Sequence, residues 1–86
     1  MTSPLQPYLD NAPNGAILIG CANFARALMA PNPETFKSGW TADNAFIATV
    51  EQAWIAGADL DRIALAGILG ISRGRAIELL TISRNL

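Results

Sequence analysis

Between Arg62 and Leu80 the chain reads RIALAGILGISRGRAIELL, and few backbones satisfy that string. Gly70 stands between two apolar, helix-favouring segments, where a residue without a Cβ permits the tight turn that closes one helix and opens the next. Ala66 precedes it by four residues, a spacing at which a small side chain on the first helix lets the second pack close. Ser72, directly after the turn, is a favoured N-cap for a helix beginning at Arg73. Leu65, Ala66, Leu69, Ile71 and Leu79 then fall on the buried sides of the pair. The expected elements are a helix from Leu60 to Leu69 capped by Asp59 with Ile63, Ala66 and Ile68 along it, a turn at Gly70-Ile71-Ser72, and a helix from Arg73 to Ser83.

Upstream, Thr41 is suited to cap a helix with Asp43 in its first turn, where the helix dipole favours negative charge. Phe46, Val50, Ala53 and Trp54 predict its apolar face, widened by Ile47 and Ile55, with Asn44, Thr49, Glu51 and Gln52 as polar positions and Gly57 as the stop. A first helix is expected from about Ala16 to Met29, with Asn14 as its cap. Ile17, Cys21, Phe24 and Leu28 recur at helical spacing and form a core stripe or a dimer seam. Ala30-Pro31 and Pro33 end it. Residues 31–40, PNPETFKSGW, read as a loop pinned by Phe36 and Trp40; stacking of Trp40 and Lys37 on a base is the weaker alternative. Residues 1–14 carry Pro4, Pro7 and Pro13, which are expected to exclude a helix and leave an extended arm with Leu5, Tyr8 and Leu9 as anchors, or a disordered leader. The fold class expected is all-α: a small bundle of about four helices over residues 15–86, its last three forming a trihelical unit with the turn motif at residues 60–83.

Composition narrows the chemistry. With 86 residues one domain is expected, and a chain of this size buries only roughly 60–65% of its unfolded surface. Hydrophobic residues make up 51% of it, enough for a core, with part of the excess open to a second copy or a partner. There is no histidine, and Cys21 is alone. No internal disulfide, ordinary zinc site or His-based general base can be built from these residues, so neither an enzyme nor a cofactor is expected. A lone cysteine suits a reducing compartment, which makes the cytoplasm the expected location. The N-terminus lacks the basic-then-apolar order of a secretory signal. The most apolar run, Gly15–Cys21, is too short to cross a bilayer.

On these residues the stretch from Arg62 to Leu80 resembles the helix-turn-helix of bacterial and phage repressors and similar regulators. Leu65, Ala66 and Leu69 match the buried side of that family's first motif helix, Gly70 and Ile71 its turn, and Leu79 the buried side of the second helix. Ala76 departs from the bulkier branched residue usual there. The resemblance implies a small DNA-binding protein, a transcriptional regulator of the size common in phage and mobile elements. Its helix from Arg73 would enter the major groove of double-stranded DNA by its N-terminal end. Carried onto this chain, the groove-facing positions are Ser72, Arg73, Gly74, Ile77, Glu78 and Thr81, with Arg75 and Arg84 toward phosphates. Arg73 is suited to a bidentate guanine contact and Ile77 to a thymine methyl. Such a unit is expected to dimerise, through Ile17, Phe24 and Leu28 or through Leu80, Ile82 and Leu86.

A second reading stays open. From Asp59 onward four arginines (Arg62, Arg73, Arg75, Arg84) face three acids (Asp59, Asp61, Glu78), a net charge of only +1, whereas DNA affinity comes mostly from neutralised phosphates. Gly74 weakens the reading helix by about 1 kcal/mol relative to alanine if it is interior. The pI of about 5.0 and the high apolar content fit an adaptor, structural or inhibitory protein that binds another protein through Tyr8, Leu9, Trp40 and Ile77. Gly67, Gly70 and Gly74 do not make a phosphate loop, because the following lysine and hydroxyl residue are missing and no strand precedes them. Gly67 is expected instead to permit close helix packing.

Overall fold

The computed structural model describes residues 4–10, 17–35 and 38–84. Five helices run through them: α1 Gln6–Asp10, α2 Ile17–Met29, α3 Ala42–Ile55, α4 Arg62–Ile68 and α5 Arg73–Arg84. Among the described residues there is no strand, so the fold is all-α. The caps and anchors expected at Asn14, Ala16, Phe36, Lys37 and Leu86 lie outside the described residues.

The longest helices, α2 and α3, form the most extensive contact, and each meets it with small side chains. α2 buries Gly20, Cys21, Ala22 and Ala25 beside Phe24; α3 buries Ala45, Thr49 and Ala53 beside Phe46. Small residues at i, i+4 and i+8 bring two helix backbones close, and the interior gains dispersion contacts along the seam. The expected face of α3 holds in part: Phe46 and Ala53 are buried and Val50 and Ile47 pack against the core, but three positions are reversed. Thr49, read as a polar position, is fully buried, at little cost because its hydroxyl donates to the Ala45 carbonyl at 2.7 Å. Trp54 and Ile55, read as core, are 76% and 60% exposed. A face carrying an indole cannot lie on a helix packed that closely, so α3 is rotated to turn it outward.

The described part of the N-terminal segment, residues 4–10, is likewise not extended. Residues 6–10 make a turn of helix, and the Tyr8 and Leu9 amides donate to the Leu5 carbonyl at 3.0 and 3.3 Å. Pro7 is tolerated because the first turn of a helix has no use for its missing N–H. Leu5 is completely buried, and the Tyr8 ring meets Phe24 edge-on at 5.4 Å and 73°. Gly20 makes this docking possible: a Cβ there would sit 2.9 Å from the Tyr8 carbonyl oxygen.

Two helix ends share one solution. After α3 the Ala58 amide donates to the Ala53 carbonyl at 2.9 Å and Gly57 to Trp54 at 3.1 Å. After α4 the Ile71 amide donates to Ala66 at 2.8 Å and Gly70 to Gly67 at 3.2 Å. These paired bonds satisfy carbonyls a helix end otherwise leaves open. They require a left-handed residue, and Gly57 and Gly70 have φ of 70° and 79°. α4 starts two residues later than expected because Asp61, not Asp59, is the cap, accepting from the Ala64 amide at 3.0 Å. Leu60 then packs against the core just ahead of the cap, with Leu65 buried four helical positions in, the arrangement of a hydrophobic staple. Gly67 does not mediate close packing: a Cβ there would meet nothing within 4 Å.

These two glycines give opposite predictions. Gly70→Ala forces an alanine into the left-handed region and is expected to destabilise by about 1–2 kcal/mol. Gly67→Ala, in helical backbone with open space, is expected to stabilise by a few tenths up to about 1 kcal/mol. Urea denaturation followed by circular dichroism checks both, and equal effects would contradict the turn geometry.

Candidate nucleic-acid interface

α5 opens on Ser72, whose Oγ accepts from the Arg75 amide at 3.2 Å. Its carbonyl receives the Ala76 amide at 2.9 Å. The helix is held from beneath by Ile71, Ala76 and Leu79, all buried. Ala76, where the resembled family has a larger residue, is completely enclosed, so the small side chain is matched by close packing around it. The opposite side is open. Ser72, Arg73, Gly74, Arg75, Ile77, Glu78 and Thr81 are all exposed, Ile77 to 50%. Arg84 is the last residue of α5. Thr81 donates its hydroxyl proton to the Ile77 carbonyl at 2.9 Å, leaving its oxygen as an acceptor.

The charges on this surface are not equivalent. Arg75 Nη2 and Nε donate to Asp43 Oδ2 at 2.9 and 3.2 Å, and its Nη1 lies 3.3 Å from Glu78 Oε1. The hydrogen bond to Asp43, then that to Glu78, pushes the Arg75 pKa above the ordinary arginine value, so it stays charged but with its charge answered. The Asp43 contact joins the first turn of α5 to the first turn of α3 across 32 residues of sequence. Nothing local in the sequence foretells it. Arg73 makes no ion pair among the described residues. It is therefore the cation at the α5 tip whose field is least offset.

The residues proposed for a protein contact are scattered differently. Tyr8 and Leu9 are half-buried and packed against the core, so they are structural and not offered to a partner. Ile77 is on the open side of α5, and Trp40, 52% exposed, belongs to a hollow with Asn44, Ile47 and Glu51 on α3. Among the described residues no three His, Cys, Asp or Glu side chains could hold a metal ion, and no helix is long and apolar enough to cross a membrane. Cys21 is buried, which pushes its thiol pKa up and makes it a poor nucleophile.

No family model, curated protein or solved structure matches this chain.

Ser72 is both a structural cap and an exposed candidate contact, and the two roles separate. Ser72→Ala is expected to cost about 1 kcal/mol of stability and Ser72→Asp to retain it, since either oxygen accepts from the amide of the first turn. Thermal unfolding of the two variants checks this; equal stability would remove the capping role.

Proposed function

We propose that this chain is a small double-stranded-DNA-binding protein, a transcriptional regulator of the helix-turn-helix kind, reading the major groove through the N-terminal end of α5. One observation carries the reading: a short helix, a glycine corner and a second helix leave the tip bearing Ser72, Arg73, Ile77 and Glu78 open to solvent. α1 packs on α2, and among the described residues it makes no contact with α5. In this reading Arg73 supplies the guanine contact and Ile77 the apolar contact to a thymine methyl. Ser72 and the first amides of α5 sit against a phosphate. Glu78 is a base-edge acceptor, and Thr81 offers an oxygen to base or backbone. Arg84, at the end of α5, is suited to a flanking phosphate. Arg75 works differently from the others: held by Asp43, it aligns α5 on α3 and shares little of its charge with DNA.

The alternative is an adaptor, structural or inhibitory protein that uses the same corner as a scaffold. The neutralisation of Arg75 favours it, since few cations then remain for phosphates. The burial of Tyr8 and Leu9 weighs against the anchors it would use.

The two readings differ in a salt series with a labelled duplex. DNA binding is expected to weaken as salt rises, with Arg73→Ala lowering affinity about tenfold or more and relaxing the preference for the base it reads. Asp43→Asn is expected to tighten binding and steepen the salt slope as Arg75 is released toward phosphates. Affinity indifferent to salt and to both substitutions would end the DNA reading.

A further inference from the structure

The rotation of α3 leaves one large feature without a use. Its outward face carries exposed Asn44, Glu51, Trp54 and Ile55 with half-buried Ile47 among them, at helical spacings of three and four that make one stripe. Trp40 precedes the extended cap Thr41 and adjoins the start of the stripe, sharing a hollow with Asn44, Ile47 and Glu51. At 14 residues α3 is about 21 Å long, and a tryptophan stands at each end. We propose that two copies of the chain associate through this stripe, antiparallel, about a two-fold axis passing beside Ile47.

The register argues for a second copy as the occupant. Trp40, beside the first turns of α3, and Trp54, in its last turn, flank Ile47 from opposite ends of the stripe, so an antiparallel pairing centred there sets Trp40 of each copy against the partner's Trp54, and Ile47 against its own equivalent. A two-fold interface requires such self-complementarity, and few surfaces have it. Each tryptophan also finds a hollow. One, of about 420 Å³, is lined by Val50, Glu51, Trp54, Arg62, Leu80 and Ser83. It admits an indole with the Arg62 guanidinium close to the ring. The other lies beside Trp40 and Ile47 at the opposite end.

Charge and area agree. The stripe carries one carboxylate, Glu51, and the antiparallel pairing holds the two copies of it about 12 Å apart along the axis, beyond the screening length at physiological salt of about 8 Å. It also brings each near the partner's Asn44, an amide donor. Asp43, at the edge of the stripe, is already answered by Arg75. With the two indoles exposed to 52% and 76% and an aromatic side chain burying about 150–250 Å², the face offers on the order of 500–600 Å² per copy. Two such faces give about 1,000–1,200 Å², at the lower edge of the range of specific interfaces, about 1,200 Å².

The rotation has a geometric result. α5 runs along one flank of α3, with Arg75 at Asp43 near its start and Leu80 and Ser83 beside Val50 and Trp54 near its end. A two-fold axis lying in the contact plane keeps that flank on one side, so both copies of α5 emerge together, running antiparallel. The association does not rest on DNA binding, and it is measured without DNA, so the two ideas fail separately.

The test is sedimentation equilibrium of the full chain over a concentration series, with three variants. The expected result is twice the 9.1 kDa chain mass, and association at least about tenfold weaker in both Trp54→Glu and Trp40→Ala, with helical circular dichroism unchanged. Because the chain's two tryptophans both lie on the stripe, emission is expected to shift to the blue as concentration rises. Ile47→Cys is expected to cross-link to itself on oxidation, while the wild-type chain, whose Cys21 is buried, does not. A 9.1 kDa species at every concentration, or a dimer indifferent to both tryptophan changes, overturns the proposal. So does a dimer in which Ile47→Cys fails to cross-link, and that readout holds even if Trp54→Glu unfolds the chain.

Discussion

The close approach of α2 to α3 decides the rest of the molecule. Both helices bring small side chains to the seam, and the one hydroxyl buried there, that of Thr49, is satisfied within its own helix. Once Ala45, Thr49 and Ala53 point inward, the helical period leaves no choice about the other side of α3. Trp54 and Ile55 must face out, Asp43 must sit where Arg75 can reach it, and α5 is set along the flank in between. The candidate reading surface and the tryptophan stripe thus follow from one rotation.

The local parts of this structure were legible in the sequence because their causes are local. Thr41 and Ser72 cap the helices they were expected to cap, since an oxygen three residues ahead of a free amide needs no distant partner. Gly57 and Gly70 end helices for the same reason, as only glycine enters the left-handed region without strain. The open face of α5 was legible only through the resemblance, whose groove-facing positions, Arg73, Ile77 and Thr81 among them, are exposed.

What was not legible depended on competition between surfaces. Hydrophobicity placed Trp54 in the core and Thr49 outside it; packing reversed both, because the depth of the seam and not the polarity of each residue chose the face. The prolines near the N-terminus gave a true local restriction and a wrong conclusion. Pro7 bars helix upstream but not the turn it helps begin, and Leu5 and Tyr8 had burial to gain by forming it. The ion pair between Arg75 and Asp43 joins residues far apart in sequence. It ties a residue that reads as a DNA contact to the first turn of α3.

The paired carbonyl bonds at Ala53 and Ala66 reach only five residues along the chain, and this has a kinetic meaning. Closing so short a span loses little chain entropy, so the directions of α4 and α5 are available before any distant segment arrives. The seam between α2 and α3 and the docking of Leu5 join more remote stretches and carry the slower search. A full-length chain refolding would therefore close its glycine corners early, while the rotation that sets Trp54 outward is fixed only when α2 finds α3.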